Sequence, residues 1–138
     1  MKINQVTRLP NGLDLKTDIG VMRIQAMNER ILHVIYTDQP SLPLAKSLLV
    51  IQPTPAVGIG NLIEEEDIII FEIGELCLEI SRNNGAFTWK NNSGGLLVRE
   101  PERGGKYLHK IHLGVRDAVS THLDLVFSEE EAIYGLCL

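Results

Sequence analysis

Apolar residues fall along this chain in short sets with a period of two. Met22, Ile24 and Ala26 alternate with Arg23 and Gln25, and Leu32, Val34 and Tyr36 form a second set around His33. Leu76, Leu78 and Ile80 alternate with Cys77, Glu79 and Ser81, and Leu123, Leu125 and Phe127 with Asp124 and Val126. Such alternation predicts strands with one buried face. Residues 48–51 and 68–71 are apolar throughout, which predicts strands buried on both faces or covered by another domain. Between the runs lies turn chemistry. Asn84-Gly85 predicts a two-residue type I′ hairpin, because both central positions of that turn need positive φ. Asn92-Ser93-Gly94-Gly95 and Arg103-Gly104-Gly105 predict looser loops. Pro40, Pro43, Pro53 and Pro55 keep residues 39–60 irregular around their one apolar run, with room for a turn of helix at most over 41–49.

No window sustains a 3.6-residue pattern, no repeat is visible and no linker divides the chain. The expected fold is all-β, an antiparallel β-sandwich with little or no helix, formed by residues 1–138 as a single domain. A length of 138 residues is enough for one core. The 44% apolar and 22% charged residues suit a soluble globular domain. A net charge of −5 supplies no basic footprint for nucleic acid or an anionic membrane. The first ten residues lack an apolar h-region, and no apolar stretch is long enough to span a bilayer. Cys77 and Cys137 are too few for a disulfide framework. The expected location is therefore the reducing cytoplasm, where the sequon Asn91-Asn92-Ser93 carries no weight.

Chemical motifs are sparse. His109 and His112 stand three apart on a strand, hence on opposite faces, and cannot chelate one ion together. Gly58-Ile59-Gly60 has Ile63 where a dinucleotide loop needs its third glycine. Glu64-Glu65-Glu66-Asp67 and Glu129-Glu130-Glu131 read as solvated turns. The 18 acidic residues leave a hydrolytic carboxylate pair unplaced. No serine lies in a G-x-S-x-G elbow, and Cys137 has no local signature of an activated thiol. Aromatics amount to 5%. Trp89, the sole tryptophan, together with Phe87 and Tyr107, reads as a core anchor rather than a sugar-stacking platform. No metal or cofactor is expected.

Three segments carry a resemblance. "FSEEEAIYGLCL" (127–138) resembles the end of the N-terminal β-sandwich in glycoside hydrolase family 31 (GH31), which includes α-glucosidases and α-xylosidases and closes this domain with a "YGLG" run. "GVMRIQAMNERILHVIYT" (20–37) looks like the family's opening strand pair. "GELCLEISRNNGAFTWKNNSGGLLVRE" (74–100) is similar to its meander. The resemblance runs from about Gly12 to the end of the sequence. Cys137 and Leu138 depart from it, standing where the family has glycine and an acid or amide.

The resemblance implies a galactose mutarotase-like supersandwich preceding a (β/α)₈ barrel that carries two catalytic aspartates. No aspartate of this chain matches those motifs, so no catalytic residue is carried over. The implied role is non-catalytic: bracing the barrel and shaping the entrance for an α-linked sugar. The expected partner is that barrel, in a longer parent chain, and the isolated domain is expected to expose an apolar docking patch and to self-associate. Two other readings stay open. One is a stand-alone carbohydrate-binding module using Trp89. The other is a small mutarotase-like enzyme that pairs a histidine acid (His33, His109, His112 or His122) with a carboxylate base.

Overall fold

The computed structural model describes residues 1–43, 60–115 and 117–131. The strand and helical turn expected between residues 41 and 51, the glycine pair's Gly58, and the closing run with Cys137 and Leu138 lie largely or wholly outside the described residues. Among those residues the regular structure is all strand, arranged in three antiparallel sheets.

Sheet A is a meander of β1 (Ile3–Leu9), β2 (Gly12–Thr17), β3 (Val21–Asn28) and β4 (Ile31–Thr37). Sheet B is a second meander of β5 (Asn61–Glu64), β6 (Ile68–Ile73), β7 (Leu76–Ser81), β8 (Phe87–Asn91) and β9 (Leu96–Arg99). A two-stranded ribbon, β10 (Lys106–His112) and β11 (Asp117–Leu123), follows. Sequential neighbours pair throughout, as short connections between twisted strands favour.

The period-two sets meet between the sheets. Ile3, Leu13, Leu15, Met22, Ile24 and Ala26 of sheet A join Ile69, Phe71, Ile73, Leu78, Ile80 and Phe87 of sheet B in one buried cluster. Each large side chain there contributes about 1.5–3 kcal/mol by leaving water. Leu32, Val34 and Tyr36 pack on its margin, half-buried, because β4 is the edge of sheet A beside the ribbon.

Three details differ from expectation. The apolar run 68–71 is not buried on both faces: Ile69 and Phe71 enter the core, whereas Ile68 and Ile70 are half-exposed on the outer face. The turn at Asn84-Gly85 is wider than a two-residue hairpin. Only Gly85 takes positive φ (69°), and the Gly85 amide donates to the Ser81 carbonyl while the Ser81 amide donates to Ala86. The Asn84 side chain instead accepts from the Ala86 amide and donates to the Glu102 carbonyl, so it serves the β9–β10 connection rather than the turn geometry alone. Finally, β11 ends at Leu123. Beyond it Val126 makes a single bridge to Arg99, and Leu123 and Phe127 remain exposed.

The two sheets are tied at one end by their turns. The Glu75 amide donates to the Glu29 carbonyl at 3.0 Å, and Gly74 sits between them with φ 39°. A Cβ on Gly74 would lie 2.6 Å from the Glu29 oxygen, against backbone that cannot yield. Gly74→Ala is expected to cost about 1–3 kcal/mol through strain and clash. Urea unfolding of the variant checks this, and an unchanged midpoint would contradict the tie.

Candidate functional site

A cleft of about 340 Å³ opens where the edge of sheet A, the face of β8 and the ribbon meet. Val34 and Tyr36 form one wall, Phe87 and Trp89 the floor, and Leu108, Thr121 and Leu123 the ribbon side. Glu100 and Lys106 lie at its root. The alternation of β4, β8 and β10 aims these side chains inward, and the β9–β10 connection carries Glu100 beneath them.

The Glu100 side chain is completely buried, and that of Lys106 is 10% exposed. Lys106 Nζ donates to both carboxylate oxygens at 2.6 Å, while the Phe87 and Gly105 amides donate to Oε2 at 3.2 Å. The ammonium also stands 3.4 Å above the Phe87 ring centre, where the ring quadrupole attracts it. Burial nevertheless lowers the Lys106 pKa to about 8, against the opposing pull of Glu100. Burial likewise raises the Tyr36 phenol, helped by the charges of Asp18 and Asp38.

This arrangement suits structure better than acid–base work. Glu100 is the one carboxylate lining the cleft among the described residues, and its oxygens are occupied by a cation and two amides. A two-carboxylate hydrolytic pair is not assembled there. Cys77 lies outside the cleft, its thiol pushed up by burial and by the charges of Glu79 and Glu72, the reverse of activation.

The aromatic residues resolve in detail. Phe87 is buried, as expected of an anchor. Trp89 is half-buried on the core margin and meets Phe87 edge to face at 5.2 Å. Tyr107 is half-buried, with its hydroxyl donating to the Gly104 carbonyl. None forms an open flat platform. Glu64, Glu65, Glu66 and Asp67 are solvent-exposed, and Glu64 and Asp67 engage Arg82 and Asn83.

The histidines do not converge in the cleft. His33 lies on β4 opposite Gln25. His112 pairs with Asp117 at 2.7 Å at the exposed ribbon tip. His109 and His112 fall on opposite faces of β10, as their spacing predicts. His122, whose residue borders the cleft, lies on the face of His109, with ring centres 5.2 Å apart. Sequence reasoning missed this pair, because the β10–β11 register that creates it has no local signal. It also missed Glu100 and Lys106, which look like ordinary loop charges in "REPERGGK".

No family model matches the sequence, and no curated protein matches it. Solved structures do match. A GH31 α-xylosidase from Xanthomonas citri aligns with 91% of this chain at TM-score 0.75 and 15% identity. A GH31 α-xylosidase from a soil metagenome, solved with xylose, aligns with 78% at TM-score 0.65 and 17% identity. The fold is one that GH31 α-xylosidases carry. The chain spans only 14% and 19% of those two proteins' lengths.

Removing one member of the buried pair leaves the other uncompensated. Glu100→Ala is expected to destabilise by about 3–5 kcal/mol, and the double variant Glu100→Gln/Lys106→Met to recover most of that loss, both measured by urea unfolding. The sign of the pH effect follows from the lowered Lys106 pKa. Between about pH 8 and pH 10 the folded chain has released a proton that the unfolded chain still holds, so this group's contribution to stability rises with pH. Relative to the double variant, wild type is expected to gain about 2 kcal/mol across that interval. A parallel pair of stability curves would contradict it.

Proposed function

We propose that this chain is the non-catalytic N-terminal β-sandwich domain of a retaining α-glycosidase of the GH31 type. It braces the catalytic barrel and shapes one side of the entrance for an α-linked sugar such as an α-xyloside. The observation that carries the reading is the match of nearly the whole chain to about one seventh of a GH31 α-xylosidase. The order of the three sequence segments points the same way.

The ribbon supports it independently. Two-stranded ribbons are marginal in water, yet this one displays Val119 at 51% exposure and Leu123 at 60% on one face, with Leu113 and Val115 in its end loop. Leu96, Leu97 and Phe127 are exposed on β9 and in the segment after the ribbon. A set of exposed apolar residues of this size suits a surface covered by a neighbouring domain, and the barrel of the same parent chain is the partner proposed here. The free sandwich then self-associates through the same residues. The half-buried Trp89 and the occupied Glu100 give less support to a stand-alone sugar-binding module or a mutarotase-like enzyme.

The intact mass of the endogenous protein tests the proposal. A mass several times 15.4 kDa, with hydrolysis of an aryl α-xyloside or α-glucoside by that species, is the expected result. A native mass equal to that of this chain would overturn it.

A further inference from the structure

We propose that Asn84 is a deamidation site gated by the fold, and that its conversion to aspartate releases the β9–β10 connection from the turn after β7. Asparagine is a labile side chain, most of all before glycine, whose missing Cβ leaves the following amide open to approach. The Gly85 backbone nitrogen attacks Asn84 Cγ, ammonia leaves, and water opens the resulting succinimide to aspartate or isoaspartate. Water is the only co-reactant. The sequence holds two Asn-Gly pairs, at 11–12 and 84–85. Gly12 is fixed inside sheet A, paired with Leu9 on one side and Gln25 on the other. Asn84-Gly85 lies instead in a turn that one neighbouring connection holds shut.

In the folded chain both reacting groups are occupied. The Gly85 amide, the nucleophile once deprotonated, donates to the Ser81 carbonyl at 2.8 Å. Asn84 Oδ1 accepts from the Ala86 amide at 2.9 Å, and Nδ2 donates to the Glu102 carbonyl. These three hydrogen bonds must open before the side chain can swing onto the Gly85 nitrogen. Met1 also lies over the glycine, its methyl carbon 2.5 Å from where a Cβ would stand. The bond to Glu102 comes from the β9–β10 connection, so a local opening of that connection is the gate.

The product cannot close the gate again. An ionised aspartate accepts hydrogen bonds but donates none, so the Glu102 carbonyl would face a carboxylate. Glu79, Glu100 and Glu102 line the same hollow of about 290 Å³ as Asn84, with Arg99 as its cation, and Glu100 is already committed to Lys106. Isoaspartate adds a main-chain carbon between the Ser81 and Ala86 bonds, which changes the turn itself. The connection let go is the one that carries Glu100 to Gly105, so deamidation loosens the root of the ribbon. The inference does not depend on the GH31 reading.

The test incubates the untagged chain in mildly alkaline buffer, native and urea-unfolded, and reads each asparagine by peptide mass mapping. The unfolded chain is expected to convert Asn84 readily, and the native chain at least tenfold more slowly. Gly104→Ala sets a Cβ 3.0 Å from the Asn84 carbonyl oxygen at φ 91°, which pushes the connection off Asn84 and leaves the reacting pair intact. The native rate at Asn84 should then rise at least fivefold, with the rate at Asn11 within twofold of wild type. Wild type in urea below its unfolding midpoint makes the same measurement without a substitution: the Asn84 rate climbs while circular dichroism is unchanged. Asn84→Asp, a copy of the product, should unfold at lower urea than wild type. An unfolded chain that keeps Asn84, equal rates in native and unfolded chains, an Asn84 rate unmoved by both Gly104→Ala and urea below the midpoint, or an unchanged midpoint for Asn84→Asp would each overturn the proposal.

Discussion

The Glu100 carboxylate is the point on which the described architecture turns. It collects the amide of Phe87 from β8, the amide of Gly105 from the β9–β10 connection, and the ammonium of Lys106 from β10. One side chain thus dictates where the chain leaves sheet B and how the ribbon begins. A charge-assisted set of this kind is costly to leave incomplete, so the ribbon's root has few alternatives to the observed path. An apolar replacement of equal volume could be as stable, yet it would not hold the two backbone amides in register.

Much of the sandwich is legible in residue order, because burial between two sheets writes a period of two. Met22, Ile24 and Ala26, and likewise Leu78 and Ile80, sit where their alternation places them. The misses have physical causes. Ile68 and Ile70 are as apolar as Ile69 and Phe71, so the sequence cannot distinguish an inward face from an outward one that is only partly covered. Asn84-Gly85 matches a two-residue hairpin locally. The structure instead gives Asn84 to the Glu102 carbonyl, eighteen residues on, and a long-range hydrogen bond has no short-range signature. Leu125 and Phe127 continue the alternation of Leu123, but alternation alone does not supply a partner strand.

The candidate chemistry was less legible for the same reason. Spacing along one strand correctly separates His109 from His112, since that is a property of the strand itself. The meeting of His109 with His122 depends on which residues oppose one another across a ribbon, which needs the turn and the register together. Glu100 and Lys106 are six residues apart with two glycines between them. Nothing in their order announces that this carboxylate becomes one of the most deeply buried groups in the chain.

The ribbon is where stability and function pull in different directions. Its root is anchored by the Glu100–Lys106 pair and by the Tyr107 hydroxyl on Gly104, whereas its tip holds Val115 fully exposed and an ion pair of His112 and Asp117 in open solvent. Exposed ion pairs contribute little, so the tip gains almost nothing from the domain itself. An element anchored firmly at one end and left apolar at the other is poorly designed for an isolated sandwich. Its exposed apolar residues suit a surface covered by the neighbouring domain proposed above.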